Sequence, residues 1–590
     1  MEKKKLLEVV NLQTHFAGAE GTVRAVNGIS FTLHRGETLG IVGESGSGKS
    51  VTSLSIMQLV RSPGKIVGGQ IWYYPKEGER VNLLALSGKQ MQHYRGNRLA
   101  MIFQEPMTSL NPVFRCGEQV VEALLQHTKQ SKASAKSHTL NLFQQVKLPD
   151  PERIFRAFPH ELSGGQKQRV MIAMAMCCEP DVLIADEPTT ALDVTVQQRI
   201  LQLMRELKSE RETAIVFISH DLGVIAEIAD QVIVMYKGQI MEAATVEQIF
   251  QSPRHPYTKS LLACRPPLEH RLRRLPVVSD FMEVQQTADG ELQLQEKDQS
   301  LWGAYQQELI DPAQTKKRLE QLLAQKPLLR VQELETRFVG KRNWWGRPQN
   351  YVRAVDGVSF DLYPGETLGL VGESGCGKTT LGRSILRLAP VHAGQVFYKE
   401  QNLGQLSEPE LRNMRKHIQI IFQDPYASLN PRKSIGEALV EPLLVHGIGG
   451  SKSERMDKVV NLLETVGLRS GFLNRFPHQL SGGERQRVCI ARALAVEPEF
   501  IVCDECVSAL DVSVQAQVLN LLLELQQQFR LSYIFISHDL SVVKFMSDRM
   551  MVMKDGKIVE MGPAEAIYQN PQTEYTRQLI AAIPVGGERL

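Results

Sequence analysis

Short, continuously apolar runs alternate along this chain with longer stretches of helical pattern. Thr38–Val42 is an apolar run that ends at a glycine-rich loop, and a helix is predicted to follow over residues 50–60. The runs at 182–185 and Ala214–Ile218 have the uninterrupted hydrophobic character of buried strands. This alternation of strand, loop and helix predicts an α/β fold, with a mainly parallel sheet and helices on both of its faces.

The same series of sequence patterns occurs twice. The segment GESGSGKS at 43–50 returns as GESGCGKT at 372–379, and the patterns FQ, LSGG and ISHD each return 318 or 319 residues later. The glycine-rich loops are 329 residues apart, so the first copy carries about ten extra residues, which we place near 74–83. The repeat predicts two whole domains, 1–265 and 327–590, joined by a linker over 266–326.

The linker differs in composition from both halves. It is proline-rich and basic at 266–274 and glutamine-rich from 285 to 325. We interpret it mainly as a tether, with one helix predicted near 315–325.

Each half is predicted to carry a helical subdomain between its FQ and LSGG patterns. Helical pattern covers 120–127 and 139–145 in the first half, and 434–445 and 456–466 in the second. Each half is therefore expected to be an α/β core with an inserted helical part.

Composition narrows the class of protein. The chain has 590 residues, of which 43% are hydrophobic and 23% charged, as in globular proteins. Its 68 basic and 65 acidic side chains leave a formal charge of +3, which argues against a dedicated nucleic-acid binder. No apolar run approaches the roughly 18 residues of a membrane span, and the eight cysteines are scattered. A cytosolic location is expected.

The glycine-rich segments fit the phosphate-loop pattern G-x-x-x-x-G-K-[ST]. Glycines allow successive backbone N–H groups to converge on phosphate oxygens, and the N-terminus of the following helix attracts the same anion. The lysine would reach the β- and γ-phosphates, and the Ser or Thr hydroxyl would ligate Mg²⁺. The residues predicted to bind nucleotide here are Gly43, Ser45, Gly46, Gly48, Lys49, Ser50 and Val51, and Gly372, Ser374, Gly375, Gly377, Lys378, Thr379 and Thr380.

Two acidic residues follow a predicted strand in each half. Asp186 and Asp504 are expected to hold Mg²⁺, directly or through water. The adjacent Glu187 and Glu505 are expected to act as the general base for the attacking water.

Three further features recur in register with these loops. His220 and His538 are predicted to contact the γ-phosphate, and Gln104 and Gln423 to ligate Mg²⁺ or the attacking water, or to sense bound nucleotide. A second anion site is predicted at each LSGG pattern, where a serine can cap a helix and two glycines leave the backbone open. Because each half already has a phosphate loop, we expect each such site to face the nucleotide of the other half. The residues are Ser163, Gly164 and Gly165, and Ser481, Gly482 and Gly483.

With the segment ALD, which occurs at 191–193 and again at 509–511, these patterns number six in order and twice over. They resemble those of the ATP-binding cassette (ABC) ATPases across nearly the whole chain. The resemblance implies two tandem P-loop cassettes, each with a mainly parallel sheet, an antiparallel β part and a helical subdomain. It implies ATP and Mg²⁺ as cofactors, and a head-to-tail arrangement in which both sites hydrolyse ATP. It also implies an aromatic residue stacked on adenine, for which Phe16 and Phe338 are the candidates. Either could instead be a core residue, and Tyr351 competes with Phe338.

Short segments outside the six shared patterns resemble segments of the oligopeptide, dipeptide and nickel importer ATPases. They are the segments 105–112 and 424–431 after the FQ pattern, HPYTKSLL at 255–262 and a looser copy at 574–580. The resemblance implies a fused subunit that energises bacterial import of peptides or a similar small solute, such as a dipeptide, an oligopeptide or glutathione. It implies two membrane permeases and an extracytoplasmic solute-binding protein as partners, no nucleic acid, and a peripheral place on the cytoplasmic face of the inner membrane. The alternatives are a twin-cassette ATPase that acts on ribosomes, a chromosome ATPase and an exporter ATPase.

Three cysteines lie within or beside the predicted nucleotide-binding patterns of the second half. Cys503 and Cys506 form a C-x-x-C pattern, but the residues between them are the predicted catalytic carboxylates, so we favour a structural role over zinc or redox chemistry. Cys376 lies inside the second phosphate loop, where alkylation is expected to block ATP binding.

Overall fold

The computed structural model describes residues 4–18, 21–104, 109–189, 192–286, 292–297, 300–340 and 350–583. In each half, a six-stranded sheet flanked by helices lies beside a four-stranded antiparallel sheet. The predicted α/β class, with an antiparallel β part and a mainly parallel core in each half, is confirmed.

The strands of the first half follow the predicted order. They are β1 (Lys5–Gly18), β2 (Gly21–His34), β3 (Thr38–Val42), β4 (Gly64–Tyr73), β5 (Val81–Asn82), β6 (Leu99–Ile102), β7 (Val182–Asp186), β8 (Ala214–Ile218), β9 (Gln231–Tyr236) and β10 (Gln239–Thr245). The antiparallel sheet has the order β2-β1-β4-β5, and the larger sheet has the order β6-β7-β8-β3-β9-β10. Its strands are parallel except for β10, which pairs antiparallel with β9.

The helices of the first half cover the larger sheet and form the inserted subdomain. They are Lys49–Ile56, Gly88–Gln92, Cys116–His127, Lys132–Gln145, Pro151–Arg156, Gly164–Met176, Val194–Arg211, Leu222–Ile228, Val246–Gln251 and Pro256–Ala263, with short 3-10 turns at Leu83–Ala85 and Pro159–Glu161. The helix predicted over 139–145 begins earlier because Ser131 caps it by accepting a hydrogen bond from the backbone N–H of Ser134.

The second half repeats this architecture. Its strands are β13 (Leu329–Val339), β14 (Tyr351–Leu362), β15 (Thr367–Val371), β16 (Ala393–Tyr398), β17 (Gln401–Asn402), β18 (Ile418–Ile421), β19 (Phe500–Asp504), β20 (Ser532–Ile536), β21 (Arg549–Lys554) and β22 (Lys557–Pro563). The sheet orders are β14-β13-β16-β17 and β18-β19-β20-β15-β21-β22. The hairpin from β4 into β5 is longer than that from β16 into β17, as the extra residues near 74–83 predict.

Helices of the second half match those of the first. They are Lys378–Ile385, Glu408–Met414, Pro425–Ser428, Ile435–Val445, Lys452–Thr465, Gly482–Leu494, Val512–Phe529, Leu540–Met546, Ala564–Gln569 and Glu574–Ala581, with 3-10 turns at Leu403–Gln405, Ser470–Asn474 and Pro477–Gln479. Strands β3, β7 and β8 and their counterparts β15, β19 and β20 are buried at every residue, which explains their uninterrupted apolar runs.

The prediction that the linker is only a tether is wrong. Its described part forms helices Val278–Phe281, Leu301–Glu308 and Pro312–Leu323 and a hairpin of β11 (Met282–Gln286) and β12 (Leu292–Glu296). Leu272 and Leu275 are buried in the hydrophobic core of the second half. The backbone N–H of Leu275 donates to Asn520 Oδ1 at 2.8 Å. In return, Asn520 Nδ2 donates to the backbone carbonyl oxygen of Leu275 at 2.8 Å. The polar composition suggested a tether, but a few apolar residues such as Leu272 and Leu275 are enough to dock the segment.

Among the described residues, no helix combines the length and apolarity that a bilayer crossing requires.

Candidate nucleotide sites

Each phosphate loop connects the end of a buried strand to the first turn of a helix. The loops 43–50 and 372–379 follow β3 and β15. Gly48 and Gly377 precede the helices with φ angles of 101° and 114°, and a Cβ on Gly377 would lie 2.0 Å from the carbonyl oxygen of Ala354. Glycine is therefore required there, and the loop leaves its backbone N–H groups facing the ligand side.

The loop lysines are buried and bent over their own loops. Lys49 Nζ donates to the carbonyl oxygens of Gly43 at 2.6 Å and Glu44 at 2.8 Å, and Lys378 Nζ donates to that of Gly372 at 2.7 Å. Burial lowers the pKa of Lys49, although neighbouring carboxylates oppose the shift. A cation in this position can neutralise a bound phosphate.

The first carboxylate of each pair contacts the loop hydroxyl. Ser50 Oγ donates to Asp186 Oδ1 at 3.0 Å, and Thr379 Oγ1 donates to Asp504 Oδ1 at 2.8 Å. Burial raises the pKa of Asp186 to about 6 and also raises that of Asp504. Within the described part of the chain, no group donates a hydrogen bond to the buried Asp504 Oδ2. A hydroxyl beside a carboxylate that has one unpartnered buried oxygen offers oxygen ligands that suit a hard divalent cation such as Mg²⁺.

The second carboxylate of each pair has an unusual backbone. Glu187 and Glu505 adopt φ angles of 48° and 46°, in the left-handed region that non-glycine residues rarely occupy. Each backbone N–H donates at 3.0 Å to the next strand, to the carbonyl oxygens of Ile218 and Ile536. The strained turn aims the glutamate away from its strand and toward the phosphate loop, as is common where strain serves a site. Sequence inspection offers no signal for this conformation.

In the first half, two polar side chains hold Glu187. Gln104 Nε2 donates to Glu187 Oε2 at 3.0 Å, and His220 Nδ1 lies 3.3 Å from the same oxygen. Burial disfavours protonation of His220, but its hydrogen bond to Glu187 and the charge of that carboxylate outweigh burial and raise its pKa. The structure thus joins three residues that were each predicted separately from the sequence.

The second half repeats this triad. Gln423 Nε2 donates to Glu505 Oε2 at 2.8 Å, and His538 Nδ1 lies 3.6 Å from that oxygen. Burial raises the pKa of Glu505, but the hydrogen bond and charge of His538, with Lys378, outweigh burial and lower it. Glu505 therefore stays ionised, as a group that orients or deprotonates water must be.

The two halves touch at these sites through aspartates that cap helices. Asp193 Oδ2 accepts a hydrogen bond from the backbone N–H of Ser374 at 3.4 Å. Reciprocally, Asp511 Oδ2 accepts one from the backbone N–H of Ser45 at 3.2 Å. Each phosphate loop is therefore in contact with the opposite half.

Hydroxyls beside these aspartates add a second pair of contacts. Thr195 Oγ1 donates to Glu373 Oε1 at 2.7 Å, and Ser513 Oγ donates to Glu44 Oε1. Sequence reasoning noted the segments around Asp193 and Asp511 but assigned no role to these residues. The recurrence of both segments was the available signal.

The LSGG serines cap their helices as predicted. Ser163 Oγ accepts from the backbone N–H of Gln166 at 3.4 Å, and Ser481 Oγ accepts from that of Glu484 at 3.3 Å. A cleft of about 590 Å³ at the second phosphate loop includes Gly482 of the same half. The contacts between halves given above use Asp193 and Asp511 rather than these serines, so the pairing of each LSGG site with the opposite loop stays a prediction.

Two tyrosines support the phosphate loops and were not predicted. The backbone N–H of Glu44 donates to Tyr257 Oη at 3.2 Å, and that of Glu373 donates to Tyr575 Oη at 3.0 Å. Both tyrosines belong to the segments resembling the C-terminal region of peptide importer ATPases. That segment therefore contacts the nucleotide loop directly.

The candidate adenine-stacking residues lie in unlike surroundings. Phe16 is half-buried, and its ring would lie 2.5 Å from a Cβ placed on Gly64, so it packs closely on that backbone. Phe338 and Tyr351 are 43% and 58% exposed at the end of the β13–β14 pair where Val339 pairs with Tyr351. Both second-half residues are accessible to a base, and stacking stays a prediction for all three.

The cysteines at the second site are enclosed. Cys503 is fully buried in β19, and Cys506 is 3% exposed. Within the described ranges, no group of three or more His, Cys, Asp or Glu side chains could hold a metal ion. Cys376 is buried in the phosphate loop, with its Sγ 4.0 Å from Lys378 Nζ.

Comparisons with known proteins agree with this geometry. Residues 26–190 and 355–508 match the ABC transporter family, and residues 241–290 and 559–589 match the oligopeptide/dipeptide transporter C-terminal region. The chain is 47% identical over 99% of its length, and 90% of the relative's, to the glutathione import ATP-binding protein GsiA of Shigella boydii serotype 4. It is 46% identical over the same shares to the protein of that name from Pectobacterium atrosepticum.

These matches decide between the interpretations that the sequence left open. The oligopeptide/dipeptide region favours an importer subunit, and the ribosome-directed alternative finds no support. With two matched cassettes covering more than half of its residues, the chain belongs to the ABC transporter family.

Proposed function

We propose that this protein is the fused ATPase subunit of a bacterial ABC importer for peptides or a similar small solute such as glutathione. The observation that carries the proposal is the complete duplication of the loop, carboxylate, glutamine and histidine geometry, combined with the oligopeptide/dipeptide C-terminal segments. Residues 1–265 and 327–590 act as the two cassettes. As an importer ATPase, the subunit works with membrane permeases and is peripheral to the inner membrane.

ATP binds at both phosphate loops and Mg²⁺ beside them. Ser50, Asp186 and Gln104 would hold the metal in the first half, and Thr379, Asp504 and Gln423 in the second. Mg²⁺ supplies charge neutralisation at the β- and γ-phosphates when bound. Lys49 and Lys378 leave their carbonyl partners and bind the same phosphates.

Glu187 and Glu505 orient the attacking water and accept its proton. Each is held in place by a glutamine and a histidine at one carboxylate oxygen. His220 and His538 hold the glutamate and contact the γ-phosphate. Because Gln104 and Gln423 lie between the ends of core strands β6 and β18 and the helical subdomains, their contacts with glutamate can report nucleotide binding to those subdomains and the permeases.

The two cassettes work as a head-to-tail pair, with Ser163–Gly165 and Ser481–Gly483 each completing the opposite site. Support comes from the reciprocal contacts of Asp193 and Asp511. A cavity of about 90 Å³ between the halves is lined by both His220 and His538. Events at one site can therefore reach the other through a short path. An extracytoplasmic solute-binding protein supplies selectivity.

Uptake by a deletion strain tests the proposal. A bacterium lacking this gene, with its permease genes intact, should lose uptake of labelled glutathione or of a labelled dipeptide. The wild-type gene should restore uptake, and the matched Glu187→Gln/Glu505→Gln variant should not, at equal protein level. Unchanged uptake of all peptide-like solutes in the deletion strain would refute the importer function.

A further inference from the structure

A second large cavity lies away from the nucleotide sites, between the linker and the second half. This linker cavity has a volume of about 990 Å³, within the range of pockets for small ligands. Linker residues 271–274 and helix Pro312–Leu323 form one wall, and helix Val512–Phe529 forms the other. It is at the start of β15, whereas the phosphate loop is at the end of that strand.

The cavity has a strong excess of positive charge. Two carboxylates, Asp548 and Glu524, line it. The guanidinium groups that line it are those of Arg271, Arg273, Arg274, Arg318 and Arg530. Guanidinium forks match the geometry of carboxylate and phosphate groups, so this lining suits an anion.

Asp548 offsets only part of that excess, because it is enclosed and both of its oxygens are already engaged by Arg318, Arg271 and a backbone N–H. Its side chain is 4% exposed. Arg318 binds it in bidentate fashion, Nε to Oδ1 at 2.8 Å and Nη2 to Oδ2 at 3.1 Å, and Arg271 Nη2 lies 3.5 Å from Oδ1. The backbone N–H of Thr367 donates to Oδ2 at 3.1 Å. No lone pair of this carboxylate is directed to the remaining arginines.

The remaining arginines are available to a ligand in different degrees. Arg274 is paired with Asp280 at 3.1 Å. Arg273 makes one long hydrogen bond, 3.5 Å from Nη2 to the neutral Gln314. Arg530 ends helix Val512–Phe529 and is exposed at the cavity rim.

The first half has a counterpart of this carboxylate in a more open place. There Asp230 occupies the place of Asp548, since it accepts from the backbone N–H of Thr38 at 2.8 Å. Lys208 Nζ lies 2.8 Å from Asp230 Oδ2, and the Asp230 side chain is 45% exposed. In the second half the linker covers the equivalent place, and ion pairs with Asp548 and Asp280 account for Arg318, Arg271 and Arg274. Among the described residues, no carboxylate forms an ion pair with the other two arginines of the cavity, Arg273 and Arg530.

We propose that the linker cavity binds a multiply charged organic anion, with Arg273 and Arg530 as its principal contacts. The ligand carries two or more carboxylates or phosphates spaced to bridge the linker and helix Val512–Phe529. Binding stiffens the linker on the second half. The proposal does not depend on which solute is imported.

Calorimetric titration of the full chain tests this. The probes are tricarballylate, a tricarboxylate, and inorganic phosphate, added in a metal-depleted Tris buffer without EDTA or nucleotide, because both are polyanions that would compete for the site. We expect one site per chain, with affinity that falls as salt rises. In the variant Arg273→Ala/Arg530→Asn, affinity should fall about tenfold or more. Asparagine is chosen because residue 530 has a φ of 55°, which asparagine tolerates.

Two controls locate the site. The charge-matched variant Arg412→Ala/Arg469→Asn, on the exposed surface of the second half, should bind like wild type. Lys49→Ala/Lys378→Ala should also keep the affinity, which excludes binding at the phosphate loops. The stronger of the two probes identifies carboxylate or phosphate as the preferred group. No binding of either probe, or equal affinity in wild type and the Arg273→Ala/Arg530→Asn variant, would overturn the proposal.

Discussion

The two halves of this chain are nearly identical at one end of their sheets and unlike at the other. At the end that carries the phosphate loops, the glutamine–glutamate hydrogen bonds are 3.0 Å and 2.8 Å long and the hydroxyl–aspartate bonds 3.0 Å and 2.8 Å. At the opposite end, the Asp230 side chain is 45% exposed and is contacted by Lys208, whereas the Asp548 side chain is 4% exposed and is bound by Arg318 of the linker. The duplicated chemistry is preserved, and a marked divergence lies where the linker docks.

This contrast separates two kinds of constraint. Nucleotide geometry depends on local loops and strand ends that each half builds for itself, so both halves retain it. Linker docking involves one half only and therefore breaks the symmetry. The following predictions test whether the two nucleotide sites behave alike and whether the opposite ends of the two halves behave differently.

The largest expected effect concerns the two general bases. Glu187→Gln and Glu505→Gln together should lower steady-state ATP hydrolysis about 100-fold or more, because general base catalysis typically contributes that much. Each single change should lower the rate by at least half and to a similar degree. Colorimetric phosphate release measures this, with ATP binding by each variant as control. A single variant with the full wild-type rate would show that its site does not contribute.

Next is the cysteine that distinguishes the second phosphate loop. Ser47 of the first loop corresponds to Cys376, whose pKa burial raises above its ordinary value. Alkylation should therefore be slow at neutral pH and accelerate as pH rises, because the thiolate reacts. Once modified, the protein should bind one ATP instead of two. Cys376→Ser, which copies the first loop, should keep both sites after the same treatment. Two ATP bound per fully alkylated chain would contradict the prediction.

A smaller effect is expected from the metal-site aspartates. The pKa of Asp186 is about 6 against an ordinary 3.8. An acid whose pKa rises on folding binds more protons in the native state, so its charge costs stability as pH rises from about 4 to about 6. Asp186→Asn should raise the free energy of unfolding of the nucleotide-free protein by about 2 to 3 kcal/mol near pH 7.5, and by about half of that near pH 5.

Denaturant unfolding at the two pH values measures that difference. Asp504→Asn should shift stability in the same direction, because burial raises its pKa as well. Mg²⁺ with ATP should stabilise wild type more than either variant. Destabilisation of the nucleotide-free protein by Asp186→Asn at the higher pH would contradict the assigned burial cost.

The smallest effects are expected at Asp548 and Asp230, at the ends of the sheets away from the phosphate loops. Arg318→Ala leaves the enclosed Asp548 with Arg271 and the backbone N–H of Thr367 as partners. The change should cost about 2 kcal/mol, less than the loss of a fully buried pair, because Arg318 is 46% exposed. Lys208→Ala at the half-exposed Asp230 should cost less than about 1 kcal/mol. Thermal unfolding of both variants measures the difference. Equal losses would mean that the linker does not stabilise the second half.

The local structure of the candidate sites was easier to predict from the sequence than the contacts that distant segments make with them. Strand, loop and helix around 43–50 and 372–379 were predictable because local patterning and glycine spacing determine them. The left-handed backbone of Glu187 and Glu505 was not predictable, because it depends on hydrogen bonds to the neighbouring strand. The contacts of Tyr257 and Tyr575 with the loops join residues more than 200 positions apart.

The sequence by itself determined that there are two cassettes and which residues are proposed to carry their chemistry, because both are a matter of local pattern and repetition. Only the tertiary structure decided that each phosphate loop meets an aspartate of the opposite half and that the linker is packed rather than free. Those outcomes depend on the three-dimensional proximity of distant segments, where a few buried apolar groups and satisfied hydrogen bonds outweigh a polar composition.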